Sequence, residues 1–91
     1  MNRSQLYAIA ADRAGISKNE AQRALDAAFE AMAAALERGE KVQLSGFGTF
    51  ETRQRKEKVG RDPRTGEPIP IPAAEVAVFK PGKKLRQRIE K

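Results

Sequence analysis

Between residues 53 and 64 the chain places six cations, Arg53, Arg55, Lys56, Lys58, Arg61 and Arg64, around a single proline, Pro63. Only Glu57 and Asp62 offset them in that stretch. Guanidinium and ammonium groups at this density suit one kind of chemistry, the pairing of phosphates or carboxylates. A second basic group, Lys80, Lys83, Lys84 and Arg86, follows later, and Arg3 and Lys41 stand apart. An ordinary solvated surface is the plain alternative, and the distribution of charge weighs against it. Residues 1–40 hold five basic and six acidic side chains, a net of −1; residues 41–91 hold 13 and six, a net of +7. A one-sided excess of this size points to a polyanionic partner.

Other chemistries lack their residues. Cysteine and histidine are both absent. That removes disulfides, thiolate nucleophiles, the usual zinc ligands and the commonest general acid/base. No catalytic triad, metal cluster or phosphate loop is present, so no catalytic residue, metal or cofactor is expected. Gly46-Phe47-Gly48 imitates part of a dinucleotide-binding loop, but the third glycine is missing and a strand pattern follows. Residues 1–10 carry no unbroken apolar run, and no stretch approaches the ~20 apolar residues of a membrane span. The expectation is a soluble, intracellular protein without a membrane partner.

The elements that position the cations follow from periodicity. Residues 3–14 read as a helix capped by Asn2, with Gln5 completing a capping box and Gly15 stopping it. Ser17 and Glu20 open a second, longer helix the same way. Its apolar stripe runs through Ala21, Leu25, Ala28, Phe29, Met32, Ala35 and Leu36, and Gly39 ends it. Val42 and Leu44 then alternate with Lys41 and Gln43 as in a half-buried strand. Ser45-Gly46 turns the chain, and Phe47, Gly48 and Phe50 begin the next strand.

From Thr52 to Lys58 neither parity is apolar, so this stretch cannot lie on a core. Arg61-Asp62-Pro63-Arg64-Thr65-Gly66 has the residues of a tight turn. On the return, Pro68, Pro70 and Pro72 share one parity, with Ile69 and Ile71 between them. Proline cannot donate to a strand ladder and survives only where its nitrogen faces away from a partner. The pattern predicts a two-stranded ribbon projecting from the body, roughly 25–30 Å long for eight or nine residues. Ala77, Val78 and Phe79 rejoin the core, and Lys80-Pro81-Gly82-Lys83-Lys84 leads into a short last helix.

Ninety-one residues make one small domain with a modest core. Without disulfide or metal, dimerisation is the remaining way to enlarge it. Phe29, Met32, Leu36, Leu44, Phe47, Phe50 and Phe79 are the apolar candidates for the dimer core, and periodicity explains them without a ligand.

Gly46-Phe47-Gly48-Thr49-Phe50, the turn Arg61–Gly66 and Phe79-Lys80-Pro81-Gly82-Lys83 resemble, in order and spacing, the bacterial histone-like HU proteins of the HU/integration host factor family. The resemblance covers the whole chain. It implies an α+β, HU-like intertwined homodimer (sometimes a heterodimer). Its parts are a helical hairpin base, a three-stranded antiparallel sheet with an extended β-ribbon arm, and a short C-terminal helix. On that pattern 1–91 is a single domain, with 1–40 the helical dimerisation part, 41–91 the saddle and last helix, and 52–76 the arm. Two positions depart from the family pattern: Asp62 stands where Asn is usual, and Pro68 and Pro70 are unusual in the return strand.

The implied function is architectural binding of double-stranded DNA with little sequence preference, in the bacterial nucleoid. Pro63 becomes a wedge that enters between base pairs and kinks the duplex. Arg53, Arg55, Arg61 and Arg64 are assigned to groove and backbone contacts, and Lys56 and Lys58 are added, since alternate parities face opposite sides of the ribbon. Lys80, Lys83, Lys84 and Arg86 are expected to form a phosphate site on the saddle flank. Arg3 and Lys41 are carried over by position, and Gly46 and Gly48 as places of close backbone approach. Bends and existing distortions in DNA are expected to be preferred. The rival readings are a sequence-specific subunit like those of integration host factor, an RNA-binding module, and a scaffold for an acidic protein.

Overall fold

The computed structural model describes residues 1–90. Helix α1, Arg3–Ala14, begins where predicted because Asn2 and Gln5 form a reciprocal capping box. It stops at Gly15, whose φ of 69° is the left-handed conformation that glycine adopts without strain. Helix α2, Lys18–Glu37, opens on the second box: the Glu20 N–H donates to Ser17 Oγ and the Ser17 N–H to Glu20 Oε1, each at 3.0 Å. The buried apolar residues are Tyr7 and Ala11 on α1 and Ala21 on α2. Asp26 on α2 accepts a hydrogen bond from the Tyr7 hydroxyl and pairs with Arg3 at 3.5 Å. The helical residues Met1–Ala35 form one compact unit, and the chain from Leu36 on forms a second.

The second unit is built on antiparallel strands: β1 (Val42–Leu44), β2 (Gly48–Arg55), β3 (Lys58–Arg61), β4 (Pro68–Ile71) and β5 (Ala74–Pro81). A three-stranded sheet has the order β1-β2-β5, and β3 pairs with β4 as a separate ribbon. Helix α3, Lys83–Ile89, follows. The α+β architecture, with its three helices, three-stranded sheet and ribbon, is the one expected.

Register divides the sheet into two faces, because directly opposite residues share a face and neighbours alternate. Val42 stands opposite Phe50, and Phe50 opposite Phe79. These residues and Leu44 form the apolar face, where the Phe50 and Phe79 rings lie 4.6 Å apart. Gln43 stands opposite Thr49 and Thr49 opposite Lys80, which places Glu51, Arg53 and Arg55 on the polar face.

Two expectations need correction. Phe47 lies in the β1–β2 turn rather than in a strand, because its N–H donates back to the Leu44 carbonyl at 2.9 Å. The ribbon is interrupted at residues 56–57 and 72–73, so Pro72 lies outside any strand. In the single chain none of the seven dimer-core candidates is buried. Phe29, Met32, Leu36 and Phe50 are half-buried, while Leu44, Phe47 and Phe79 remain 38%, 47% and 37% exposed.

Candidate nucleic-acid interface

The arm begins where β2 runs out. Its register continues that of the sheet with no inserted residue: Arg55 opposes Ala74, and Lys58 opposes Ile71. The hydrogen-bonding phase nevertheless inverts. At the base the Gly82 N–H donates to the Phe47 carbonyl, so odd-numbered residues of β2 face β5. At the tip the Asp62 N–H donates to the Glu67 carbonyl at 2.8 Å, so even-numbered residues of β3 face β4. The prolines require this. Pro70 opposes Val59 and Pro68 opposes Arg61, and both fall at positions where no ladder N–H is needed. The predicted parity of Pro68 and Pro70 is therefore found, and the interruption is where one phase gives way to the other.

The tip is a built turn. Asp62 Oδ1 accepts from the Arg64 N–H at 2.8 Å, and the Gly66 N–H returns to the Asp62 carbonyl at 2.8 Å. Gly66, at φ 74°, takes the left-handed position. The carboxylate of Asp62 is thus committed to capping, with Pro63 exposed beside it. Val59, Pro68 and Pro70 are exposed on the arm face that also carries Arg61. On the other face Ile71 lies over Gly60, where an added Cβ would meet Ile71 Cδ1 at 2.9 Å.

Most of the expected cations are unneutralised. Among the described residues, no carboxylate lies within ion-pair distance of Arg55, Lys56, Lys58, Arg61, Arg64, Lys83, Lys84 or Arg86. Arg55 and Arg61 reach only backbone carbonyls, of Pro72 and Gly66, each at 3.4 Å. Lys41, Arg53 and Lys80 instead converge on Glu51. That carboxylate was not expected from sequence, and nothing local to it announced its burial. Its partners come from three different segments and only the register brings them together. The hydrogen bond from Lys80 holds the Glu51 carboxyl below the usual range, against the opposing effect of its burial.

Lys83 and Lys84 join Ser45, Gly46, Thr49 and Gly82 around an open depression of about 280 Å³. Arg3 lies in the helical unit, where Asp26 pairs it and its guanidinium stands 5.1 Å from the Phe29 ring centre. Gly46 has φ 82° and shapes the turn. Gly48 is buried, with the Phe79 ring over its Cβ position, and lines the same depression as Gly46.

Comparison with known proteins decides the family. The sequence profile described as Bacterial DNA-binding protein matches residues 1–90. The chain belongs to the bacterial DNA-binding protein family. Within it, the DNA-binding protein HU of Clostridium pasteurianum is 50% identical over 91 residues, covering all of both chains. The integration host factor subunit alpha of Idiomarina loihiensis is 46% identical over 90 residues, 99% of this chain and 92% of the relative. Among solved structures, an Anabaena HU chain from an HU–DNA cocrystal superposes with a TM-score of 0.92 at 42% identity, covering 98% and 97% of the two chains. The Anabaena HU chain thus shares the fold over nearly its whole length.

Proposed function

We propose that this chain acts as a homodimer that binds and bends duplex DNA, with its two arms following the minor groove and compacting the bacterial chromosome. The observation that carries this reading is the arm itself. It is a paired ribbon with an exposed proline at its tip and cations that, Arg53 apart, have no carboxylate partner among the described residues.

Dimerisation is supported by what one chain leaves uncovered. It exposes 7586 Å², where a folded monomer of 10.0 kDa ordinarily exposes about 5,200 Å². Leu44, Phe47 and Phe79 are among the exposed residues. A second copy that covers them makes up the core a chain of this length lacks, with 1–40 as the dimerisation part of a single 1–91 domain.

The mechanism follows from the arm. Arg53, Arg55, Arg61 and Arg64, with Lys56 and Lys58, displace counterions from phosphates, and each phosphate contact steepens the salt dependence of binding by about 0.9 in the log–log slope. Lys80, Lys83, Lys84 and Arg86 add phosphate contacts at the base, with Lys41 beside them, and Arg3 adds one from the helical unit. In the minor groove base patterns are degenerate, so sequence preference is weak. Pro63 enters a base step and stabilises a kink, which favours DNA already flexible or nicked. The role involves no catalysis. No helix of the described residues is long and apolar enough to cross a membrane, and the proposed place of action is the nucleoid.

Replacing Arg53, Arg55, Arg61 and Arg64 with Gln tests the arm. The expected result is loss of duplex binding with the dimer intact; retention of affinity contradicts it. The integration host factor relative supports a second, sequence-specific reading. Competition between random and defined DNA separates the two, since a preference above about 10³-fold marks specific binding. Binding to duplex RNA at matched salt tests the RNA alternative.

A further inference from the structure

Among the described residues Glu51 is the one charged residue that is buried, at 9% exposure. We propose that Glu51 is a positioning residue for phosphate binding, its carboxylate holding Lys41, Arg53 and Lys80 together as one docking cluster on the polar face of the sheet. The inference rests on the DNA-binding reading above.

Register explains the convergence. Continuing the β1–β2 pairing by one residue sets Lys41 opposite Glu51. Arg53 is two residues further along β2, on the same face. Lys80 comes from β5, opposite Thr49 and diagonal to Glu51. Their nitrogens lie 3.5, 3.8 and 2.7 Å from the Glu51 carboxylate. The Glu51 side chain is only 11% exposed, while those of Lys41, Arg53 and Lys80 are 64%, 59% and 57% exposed. A phosphate arriving from solvent therefore meets the cations, with the carboxylate beneath them.

Two effects oppose each other. A carboxylate near a phosphate repels it, so removing Glu51 should on charge alone tighten binding. Three flexible cations with no carboxylate between them would repel one another and regain rotamer freedom that binding must then remove. Burial beneath the cations weakens the first effect and leaves the second in full. The proposal thus predicts that a more positive protein binds more weakly.

The experiment measures binding of the full-length protein to one short random-sequence duplex across a salt series, for wild type, Glu51→Gln, Glu51→Asp, Lys80→Met and the Glu51→Gln/Lys80→Met double variant. Thermal midpoint and dimer mass are followed in parallel. Glu51→Gln is expected to weaken binding by about five- to twentyfold and to flatten the log–log salt slope by about one to two, as if one or two phosphate contacts were lost. In the Lys80→Met background the same change should cost less than about twofold, because the partners act as a unit. A purely structural role moves neither the slope nor that coupling. Glu51→Asp, one methylene shorter at unchanged net charge, should fall between wild type and Glu51→Gln; if Glu51→Gln does not fold, weaker binding by Glu51→Asp carries the test. Binding by either variant as tight as wild type or tighter, with an unchanged or steeper slope, overturns the proposal. Absence of binding by the wild type overturns the DNA-binding reading itself.

Discussion

Gly48 and Phe79 meet ring against backbone: a Cβ at Gly48 would lie 2.6 Å from Cε1 and Cζ of Phe79 and 2.7 Å from the Lys80 carbonyl oxygen. Neither neighbour can withdraw easily. The carbonyl belongs to β5, and the ring is held between Phe50 at 4.6 Å and Phe47 at 5.6 Å. Gly48→Ala is therefore an overpacking substitution, expected to destabilise the fold by about 1–3 kcal/mol. Denaturant unfolding of the two proteins at equal concentration measures it. Equal stability would show that the Phe79 ring is free to move.

The inverted phase of the arm makes a positional prediction about proline. Ile69 opposes Gly60, two residues from the bonded Asp62–Glu67 pair, so its N–H is a ladder donor. Ile69→Pro removes that donor and should open the arm, seen as faster amide exchange and proteolysis between residues 58 and 71. Pro70→Val adds an N–H where none is required and should leave protection unchanged. The reverse ranking would contradict the inversion.

Tyr7 is the only tyrosine in the chain, so alkaline titration of its near-UV absorbance reads one group. Its hydrogen bond to Asp26 raises its pKa above the ordinary tyrosine value, with burial adding and Arg3 opposing. The raised folded value means that its contribution to stability is complete below the ordinary tyrosine range and is lost as pH rises through the folded value. Asp26→Asn should bring the titration back down. A wild-type midpoint at or below the ordinary value would show that the bond to Asp26 does not persist in solution.

Much of the fold was legible because its signals are local. Asn2 with Gln5, Ser17 with Glu20, and Gly15 each report on a few neighbouring backbone groups, and each helix end falls where they place it. The arm was legible for the opposite reason: residues 52–58 offer no apolar parity, and Pro68 and Pro70 tolerate only one ladder phase. What sequence could not supply depends on register. Alternation along a strand does not reveal that the phase changes at residues 56–57. It likewise gives Glu51 a place on the polar face without showing that Lys41, Arg53 and Lys80 bury it there. Nor does alternation show that Phe79, 31 residues away in the chain, packs on Gly48 across β2 and β5.

Pro63 separates affinity from bending. Phosphate contacts dominate binding, so Pro63→Ala should retain affinity within about tenfold. In the proposed mechanism the wedge stabilises the kink, so the bend should be smaller. A bend angle equal to that of the wild type would reject insertion by Pro63.

The central claim, a dimer whose arms hold duplex DNA in a bent form, is tested most directly by energy transfer between the two ends of a short random-sequence duplex at saturating protein. Bending 20–30 base pairs by 40–90° takes on the order of 1–6 kcal/mol, which contacts along both arms and at their base must offset. The account predicts that the ends approach as the dimer binds and separate again as salt releases it. A duplex that is fully bound yet as straight as free DNA would contradict it.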